Sequence, residues 1–516
     1  MATVDHGAIV IGAGHNGLIC AGYLARAGMD VVVLEARSQV GGCASTVDAL
    51  GARVNICNCD HGMFRSTPVM EELDLAAHGL RYIDIEPGTV NLTWHEGVAW
   101  PAFHDTERTL AALSLTYPGE VEGYRRYLAA AMPVAALLVE LATETPTPGA
   151  VLRRVAGRRA RGVHHLLRWS RRSVGAVLRD FFHEDAVMAP AVVVGPAVWG
   201  LSPDTPGTGL GALTYAMKHV ATVGRPVGGS GAVPDAVRGA LEAAGGTVRT
   251  GAQVASVLCE GERVRGVELA DGTLVEAPVV VSACDPRATF LSWLRHPPAS
   301  VTPLIDRWQS APSHDGYESK VDAVITTLPT YEQLDPTLPD RLGFEPLHAT
   351  AIVAPPLDEM AAAHRLMADG RVAKRPMFFA NIPSVLDSSL QVDGRHVFSL
   401  ETLYTPYRLQ GGWTASGEPQ RWLEVYGERV APGFLDGVER WRAMTPDVYE
   451  RDFFMPRGYA TSFAGGPLAA LRGKDRELTR YETPVKGLYL TGAATFPGAG
   501  VWGASGRNAA RVILPR

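Results

Sequence analysis

Apolar and polar positions fall into blocks that predict a strand–turn–helix–strand unit at the start of the chain. Ala8-Ile9-Val10-Ile11 is an unbroken apolar run. A glycine-rich turn, Gly12-Ala13-Gly14-His15-Asn16-Gly17, follows, then a helical stretch, then Val31-Val32-Val33-Leu34 ending in Glu35. Runs that are apolar at every residue suit strands covered on both faces, as in a parallel sheet. The same reading gives strands over Val254–Val257, Val264–Leu269 and Leu274-Val275, with Asp271-Gly272 as a tight turn between the last two. Val279–Ser282 reads as a buried strand stopped by Asp285-Pro286. Gly487–Ala494 reads as another, leading through the loop Thr495–Gly506 into a last helix from Arg507. Residues 76–224 read as mainly helical, with Asp105 capping a helix before Leu110–Leu113 and Pro133 interrupting or starting a second helical run. Residues 301–469 are mixed: Val321–Thr327 alternates weakly and Val397–Leu403 reads as a strand.

The first block carries chemistry as well as structure. Gly12 permits a tight turn, Gly14 lets backbone approach a pyrophosphate, and Gly17 lets the helix pack on the strand. The helix start offers free N–H groups and partial positive charge to phosphates. Glu35, 23 positions after Gly12, can accept hydrogen bonds from ribose hydroxyls. Together these parts predict an adenine dinucleotide site. No second complete fingerprint occurs: no apolar strand precedes Gly224–Gly231, so no bound NAD(P) site is expected.

After Glu35 come Ala36, Arg37 and the step Val40-Gly41-Gly42-Cys43. This E-x-R-x-x-x-G-G pattern resembles the glutathione-reductase-type FAD proteins. Arg37 would contact phosphate or the adenine, or lie solvated at the surface. GAGHNGL near the start, Val40-Gly41-Gly42, the middle block with Gly228-Gly229-Ser230-Gly231 and Val280–Pro286, and GLYLTGAATFPGAGVWGASG near the end resemble the phytoene desaturase-like flavoproteins. Cys43 and the Ala499–Trp502 stretch depart from that pattern, which bears on substrate and not on cofactor. The resemblance implies an α/β fold with a discontinuous Rossmann-like FAD-binding domain (1–75, 225–300, 470–516). It also implies an inserted mixed α+β substrate domain (76–224, 301–469). It implies FAD contacts at Gly12, Ala13, Gly14, His15, Asn16, Gly17, Glu35, Ala36, Arg37, Gly41, Gly42, Cys43, Val254 (through its backbone), Gly492, Ala493, Gly500, Val501 and Trp502. His61 is the candidate polar group near the flavin, with a structural histidine as the alternative, and Trp502 the candidate flavin-facing wall.

Composition narrows the field. Apolar content of 46% and charged content of 20% over 516 residues fit a globular enzyme with more than one domain's worth of core. A net charge of −6 gives no sign of a nucleic-acid partner. The six cysteines show no zinc spacing, and no metal site is expected. The first strand starts close to Met1, leaving no room for a signal peptide, so a cytoplasmic location is expected. Nine arginines between Arg153 and Arg179 interleave with Leu166, Leu167, Trp169, Val174, Val177 and Leu178. That composition fits peripheral contact with a membrane or a solvated helix face, and Gly157 and Gly162 favour the second. The leading expectation is an FAD-dependent dehydrogenase or oxidase that desaturates a largely apolar or polyene-like small molecule, with secondary metabolism as the expected setting. Its hydride would pass to flavin N5 and its acceptor would be oxygen or a quinone. Amine oxidation, a reduced-FAD isomerase and a GDP-dissociation-inhibitor-like binding module without FAD are the alternatives.

Overall fold

The apolar runs become neighbours in one parallel sheet. Its strand order is Thr247–Arg249, Val31–Leu34, Ala8–Ile11, Val280–Ser282, Leu488–Leu490, and every pair is parallel. The sheet thus joins the two ends of the chain to its middle. The computed structural model describes residues 3–57, 60–95, 97–312, 315–463, 469–470 and 472–514. Asn58 and Cys59, part of the cysteine spacing considered above, lie outside the described residues.

The helix His15–Arg26 lies on one face of this sheet, against Ala232–Ala243 and Ala504–Ile513. Val10, Val33 and Val281 meet Leu18, Ile19, Leu24, Val237 and Ala509 in one core. The opposite face presents Ile9, Ile11, Val32 and Leu34 to a second sheet containing Val254–Glu260, Arg263–Leu269 and Leu274–Glu276. Both faces of Ala8–Ile11 and Val31–Leu34 are therefore dry, which is why these strands carry no polar alternation, whereas the edge strand Thr247–Arg249 is partly exposed and alternates. The Asp271-Gly272 turn joins antiparallel strands as expected, with Gly272 at φ +82°.

A seven-stranded sheet builds the rest: Val438–Met444, Glu318–Ile325, His396–Leu403, Phe378–Asn381, Thr350–Ala354, Thr89–Thr93, Trp100–Ala102. One face packs Val321, Ala323, Ala351, Val353, Phe378, Phe398 and Leu400 against Trp422, Leu423 and Tyr426. The other presents Ile352, Phe379 and Leu403 to a helical layer containing Tyr124, Tyr127, Trp169, Val187 and Tyr215.

Two expectations change. Residues 76–224 are mostly helical, and Asp105 accepts the Arg108 N–H as an N-cap, but the segment also supplies three short strands, Tyr82–Asp84, Thr89–Thr93 and Trp100–Ala102. Pro133 neither starts nor ends a helix: it lies inside Val121–Ala142. Tyr124, Tyr127, Ala131, Val134 and Leu137 on that helix are buried, so packing outweighs the one lost backbone hydrogen bond. The arginine-rich stretch is three short helices, Pro148–Gly157, Val163–Trp169 and Val174–Leu178. Its Leu166, Trp169, Val174, Val177 and Leu178 point into the core. Arg153 and Arg154 pair with Glu144, Arg158 with Glu140, and Arg168 and Arg172 with Asp180. Among the described residues no helix is long and apolar enough to cross a membrane.

Candidate active site

The glycine loops of the two ends and of the 41–42 step are packed on one another. The helix at His15 starts with Gly14 as N-cap, with no side-chain cap and no acid in its first turn. Among the described residues no side chain hydrogen-bonds its first N–H groups, and a Cβ built on Gly14 meets nothing within 4 Å. This open space in front of unpartnered amides fits a pyrophosphate. The packing behind it is tight: a Cβ at Gly17 would lie 2.2 Å from the Gly12 carbonyl oxygen, and one at Gly506 2.3 Å from that of Asn16. Gly41 donates its N–H to the Ala13 carbonyl at 2.8 Å and sits at φ +110°, a conformation only glycine adopts readily. A Cβ on Gly42 would be 3.5 Å from the Gly14 Cα.

Glu35 is buried and accepts N–H bonds from Ala13 (2.8 Å) and Arg37 (2.9 Å). Ala36 lies between the two. The Glu35 carbonyl accepts the Ala252 N–H at 2.8 Å, which brings Val254 to the same edge. Arg37 stacks over Phe453, 4.2 Å from the ring centre. Cys43 Sγ lies 3.1 Å from Met455 Sδ and hydrogen-bonds the Cys57 thiol, whose pKa is pushed well up by that bond and by burial. At the C-terminal loop Gly492, next to Ala493, donates its N–H to Ser505 Oγ at 3.0 Å. Asn16 Oδ1 accepts the Gly506 N–H, and His15 bonds the Gly500 backbone. Burial lowers the His15 pKa to about 4. Trp502 is half-buried; its carbonyl accepts Thr67 Oγ1 at 3.2 Å, and a Cβ on Gly500, two residues away across Val501, would meet its indole at 2.9 Å.

His61 is buried with both ring nitrogens occupied: Nδ1 lies 2.8 Å from the Tyr82 hydroxyl and Nε2 2.9 Å from Ser230 Oγ. Burial, then the nearby His15, drops its pKa to about 3, against the opposing pull of Asp60. It is thus a neutral, fixed imidazole.

Sequence reasoning missed a buried polar network between this region and the seven-stranded sheet. Burial pushes the Asp60 carboxyl up, but Arg225 and Thr350 outweigh it and hold it below the usual range. Lys218 donates to Thr89 Oγ1 at 2.7 Å, and burial lowers its pKa to about 7. Lys320 bonds the Asn55 carbonyl and pairs with Asp322 at 2.8 Å, both side chains being 1% exposed. Burial raises Glu318 to about 7 and, with Glu318 beside it, lifts Glu401 well above the usual range. The signal was the alternation Glu318, Lys320, Asp322 and Ser399, Glu401. Such spacing ordinarily marks a solvent face, whereas here that face is covered.

Two family profiles match: NAD(P)-binding Rossmann-like domain over residues 10–73 and flavin containing amine oxidoreductase over residues 197–315. Fold, glycine cradle and these matches define an FAD-dependent oxidoreductase. Pyridine nucleotide-disulfide oxidoreductase domain-containing protein 2 of Mus musculus is 30% identical, covering 99% of this chain and 93% of that protein. Lycopene-forming phytoene desaturase of Pantoea ananas is 26% identical, covering 96% of each. The chain belongs to the phytoene desaturase-like family of FAD-dependent oxidoreductases. Putrescine oxidase bound to putrescine superposes with a TM-score of 0.63 at 17% identity, over 99% of this chain and 98% of that one, which shows a shared fold.

Proposed function

We propose that this enzyme desaturates a largely apolar small molecule: a hydride leaves one C–H bond, a proton leaves the neighbouring carbon for solvent, and the two electrons pass on to oxygen or a quinone-type acceptor, which takes up protons as it is reduced. Bound FAD supplies the two-electron acceptor. The observation that carries the reading is the reach of the apolar helical layer. Its core runs from Tyr124, Tyr127 and Trp169 through Ile352 and Phe379 to Phe496, inside the C-terminal glycine loop. An apolar substrate held against that layer would lie beside the loop with water excluded.

In this reading Gly12–Gly17 hold the pyrophosphate and Glu35 the ribose, while the Val254 backbone meets the adenine. Gly41-Gly42-Cys43, Gly492-Ala493 and Gly500-Val501-Trp502 close around the remainder, with Trp502 as wall. His61 acts as a positioning residue: a neutral ring pinned by Tyr82 and Ser230 is a poor proton acceptor near neutral pH. The division into a cofactor part (1–75, 225–300, 470–516) and a substrate part (76–224, 301–469) is part of the same proposal, supported by the strands each sheet draws together. The free thiols of Cys20, Cys43, Cys57, Cys259 and Cys284 favour a reducing, cytoplasmic setting. Amine oxidation is the competing reading, favoured by the Glu318 and Glu401 carboxyls. Anaerobic bleaching of the flavin by a panel of carotenoids, terpenoids, amines and carrier-bound intermediates separates the two. Bleaching by an alkene precursor supports desaturation; bleaching by amines alone overturns it.

A further inference from the structure

The face of the seven-stranded sheet that looks toward the cofactor part carries a row of polar residues across its strands. Thr89 lies opposite Thr350, Asn381 opposite Ser399, Ser399 opposite Asp322, and Asp322 opposite Arg442. Lys320 and Asp60, which bond Asn55 and Thr350, tie this face to the segment that follows the glycine pair. Both ends of the row are paired: Thr89 with Lys218, Thr350 with Asp60, and Asp322 with Arg442 and Lys320, although Asp322 Oδ1 and Arg442 Nη2 make ion-pair contacts and no hydrogen bond among the described residues.

The middle is not. Asn381, Ser399 and Glu401 are only 3–4% exposed. Yet both polar atoms of the Asn381 side chain, Ser399 Oγ and Glu401 Oε1 have no hydrogen-bond partner among the described residues. Buried polar atoms are nearly always paired, so a cluster of four on two adjoining strands marks the place of something they bind. The cluster offers an amide donor, an amide acceptor, a hydroxyl and a carboxyl whose pKa burial and Glu318 raise well above the ordinary carboxylate range. Phe379, paired with Glu401, and Ile352 on the next strand continue the same face into the apolar layer.

We propose that Asn381, Ser399 and Glu401 form a recognition site for one uncharged group that both donates and accepts hydrogen bonds, a hydroxyl or carboxamide, on an otherwise apolar substrate. The proposal rests on the reading of the site given above and sharpens it: the substrate is an amphiphile with a neutral polar end, not a pure hydrocarbon.

The test uses the flavin-bound protein and three probes of similar length: hexanamide, 1-hexanol and methyl pentyl ether, which accepts but cannot donate. Calorimetric titration should give hexanamide or hexanol about tenfold tighter binding than the ether. The stronger of the two identifies the group. Asn381→Leu and, separately, Ser399→Ala should erase that preference without changing flavin content. Because they remove unpartnered buried atoms, both variants should melt at or above the wild-type temperature. Equal binding of all three probes by the wild type, or a preference that survives in both variants, would overturn the proposal and leave bound water as the partner of these atoms. Hexylammonium is titrated as a fourth, charged probe, and tighter binding of it than of hexanamide would overturn the uncharged assignment. Flavin content is read in every sample, so loss of the cofactor reading would be seen independently as colourless protein.

Discussion

Gly14→Val should separate cofactor binding from folding. Gly14 has φ −63° and ψ 160°, a region open to any residue. A Cβ there meets nothing within 4 Å, so folding stability should change by less than about 0.5 kcal/mol. The added branch instead fills the space before the helix's free N–H groups. Two lost charge-assisted hydrogen bonds at about 1.5–3 kcal/mol each amount to about 3–6 kcal/mol, or two to four decades in FAD affinity. Gly17→Ala and Gly506→Ala make the opposite case. Their Cβ atoms would lie 2.2 and 2.3 Å from backbone carbonyl oxygens, which cannot swing aside. Overpacking of this kind costs about 1–3 kcal/mol or more. The assay is visible flavin absorbance relative to protein absorbance in the purified variants, beside melting followed by circular dichroism. Gly14→Val should be colourless and melt like flavin-free wild type; Gly17→Ala and Gly506→Ala should melt lower. Full flavin in Gly14→Val, or an unfolded Gly14→Val beside an unaffected Gly17→Ala, would refute the reasoning.

His61 keeps a pKa of about 3 against an ordinary 6.5. Above pH 6.5 both states are neutral and the group adds no pH dependence; below it only the unfolded chain takes the proton. Stability should then fall by about 1.4 kcal/mol per pH unit on this account, and His61→Gln should reduce the slope of urea-derived stability between pH 6.5 and 4 by that amount. An unchanged slope would contradict the buried neutral assignment. Lys320→Met strips buried Asp322 of one partner and leaves it Arg442; the expected loss is about 3–5 kcal/mol in urea denaturation, and a loss below about 1 kcal/mol would be inconsistent with it. Glu35→Ala leaves the Ala13 and Arg37 N–H groups without their acceptor; stability should fall by about 1–3 kcal/mol, with weaker FAD retention on gel filtration. Arg158→Ala and Arg172→Ala break surface pairs and should cost less than about 1 kcal/mol each. The protein should not co-sediment with anionic vesicles at physiological salt; pelleting that those two variants abolish would restore a membrane role for the arginine-rich stretch.

The parallel sheet was legible because its strands are dry on both faces. Ala8–Ile11 and Val31–Leu34 have no polar position to confuse with a helix or a solvent face, and Val280–Ser282 has only Ser282 at its end, buried and bonded to Thr289. The dinucleotide loop was legible because Gly12, Gly14 and Gly17 each answer a steric demand that acts within a few residues. Thr89–Thr93 escaped notice because it becomes a strand by joining Thr350–Ala354, far along the chain, and Trp100–Ala102 because it in turn pairs with Thr89–Thr93 at the sheet edge. Pro133 misled because local propensity favours a break, whereas burial of the helix around it decides otherwise. The polar network was hidden for a related reason: charged residues at alternate positions of Glu318–Ile325 look solvated until the segment around Asn55 and Asp60 is folded over that sheet. Local rules thus reach the glycine loop and the strands beside it, while the polar network depends on contacts between distant segments.

The flavin stoichiometry of the purified protein tests the central claim most directly. FAD released by denaturation and quantified against chain concentration should come to one per chain, and should fall to near zero in Gly14→Val while that variant remains folded. A colourless wild-type protein that takes up no FAD on reconstitution would contradict the assignment of this chain's glycine cradle to that cofactor.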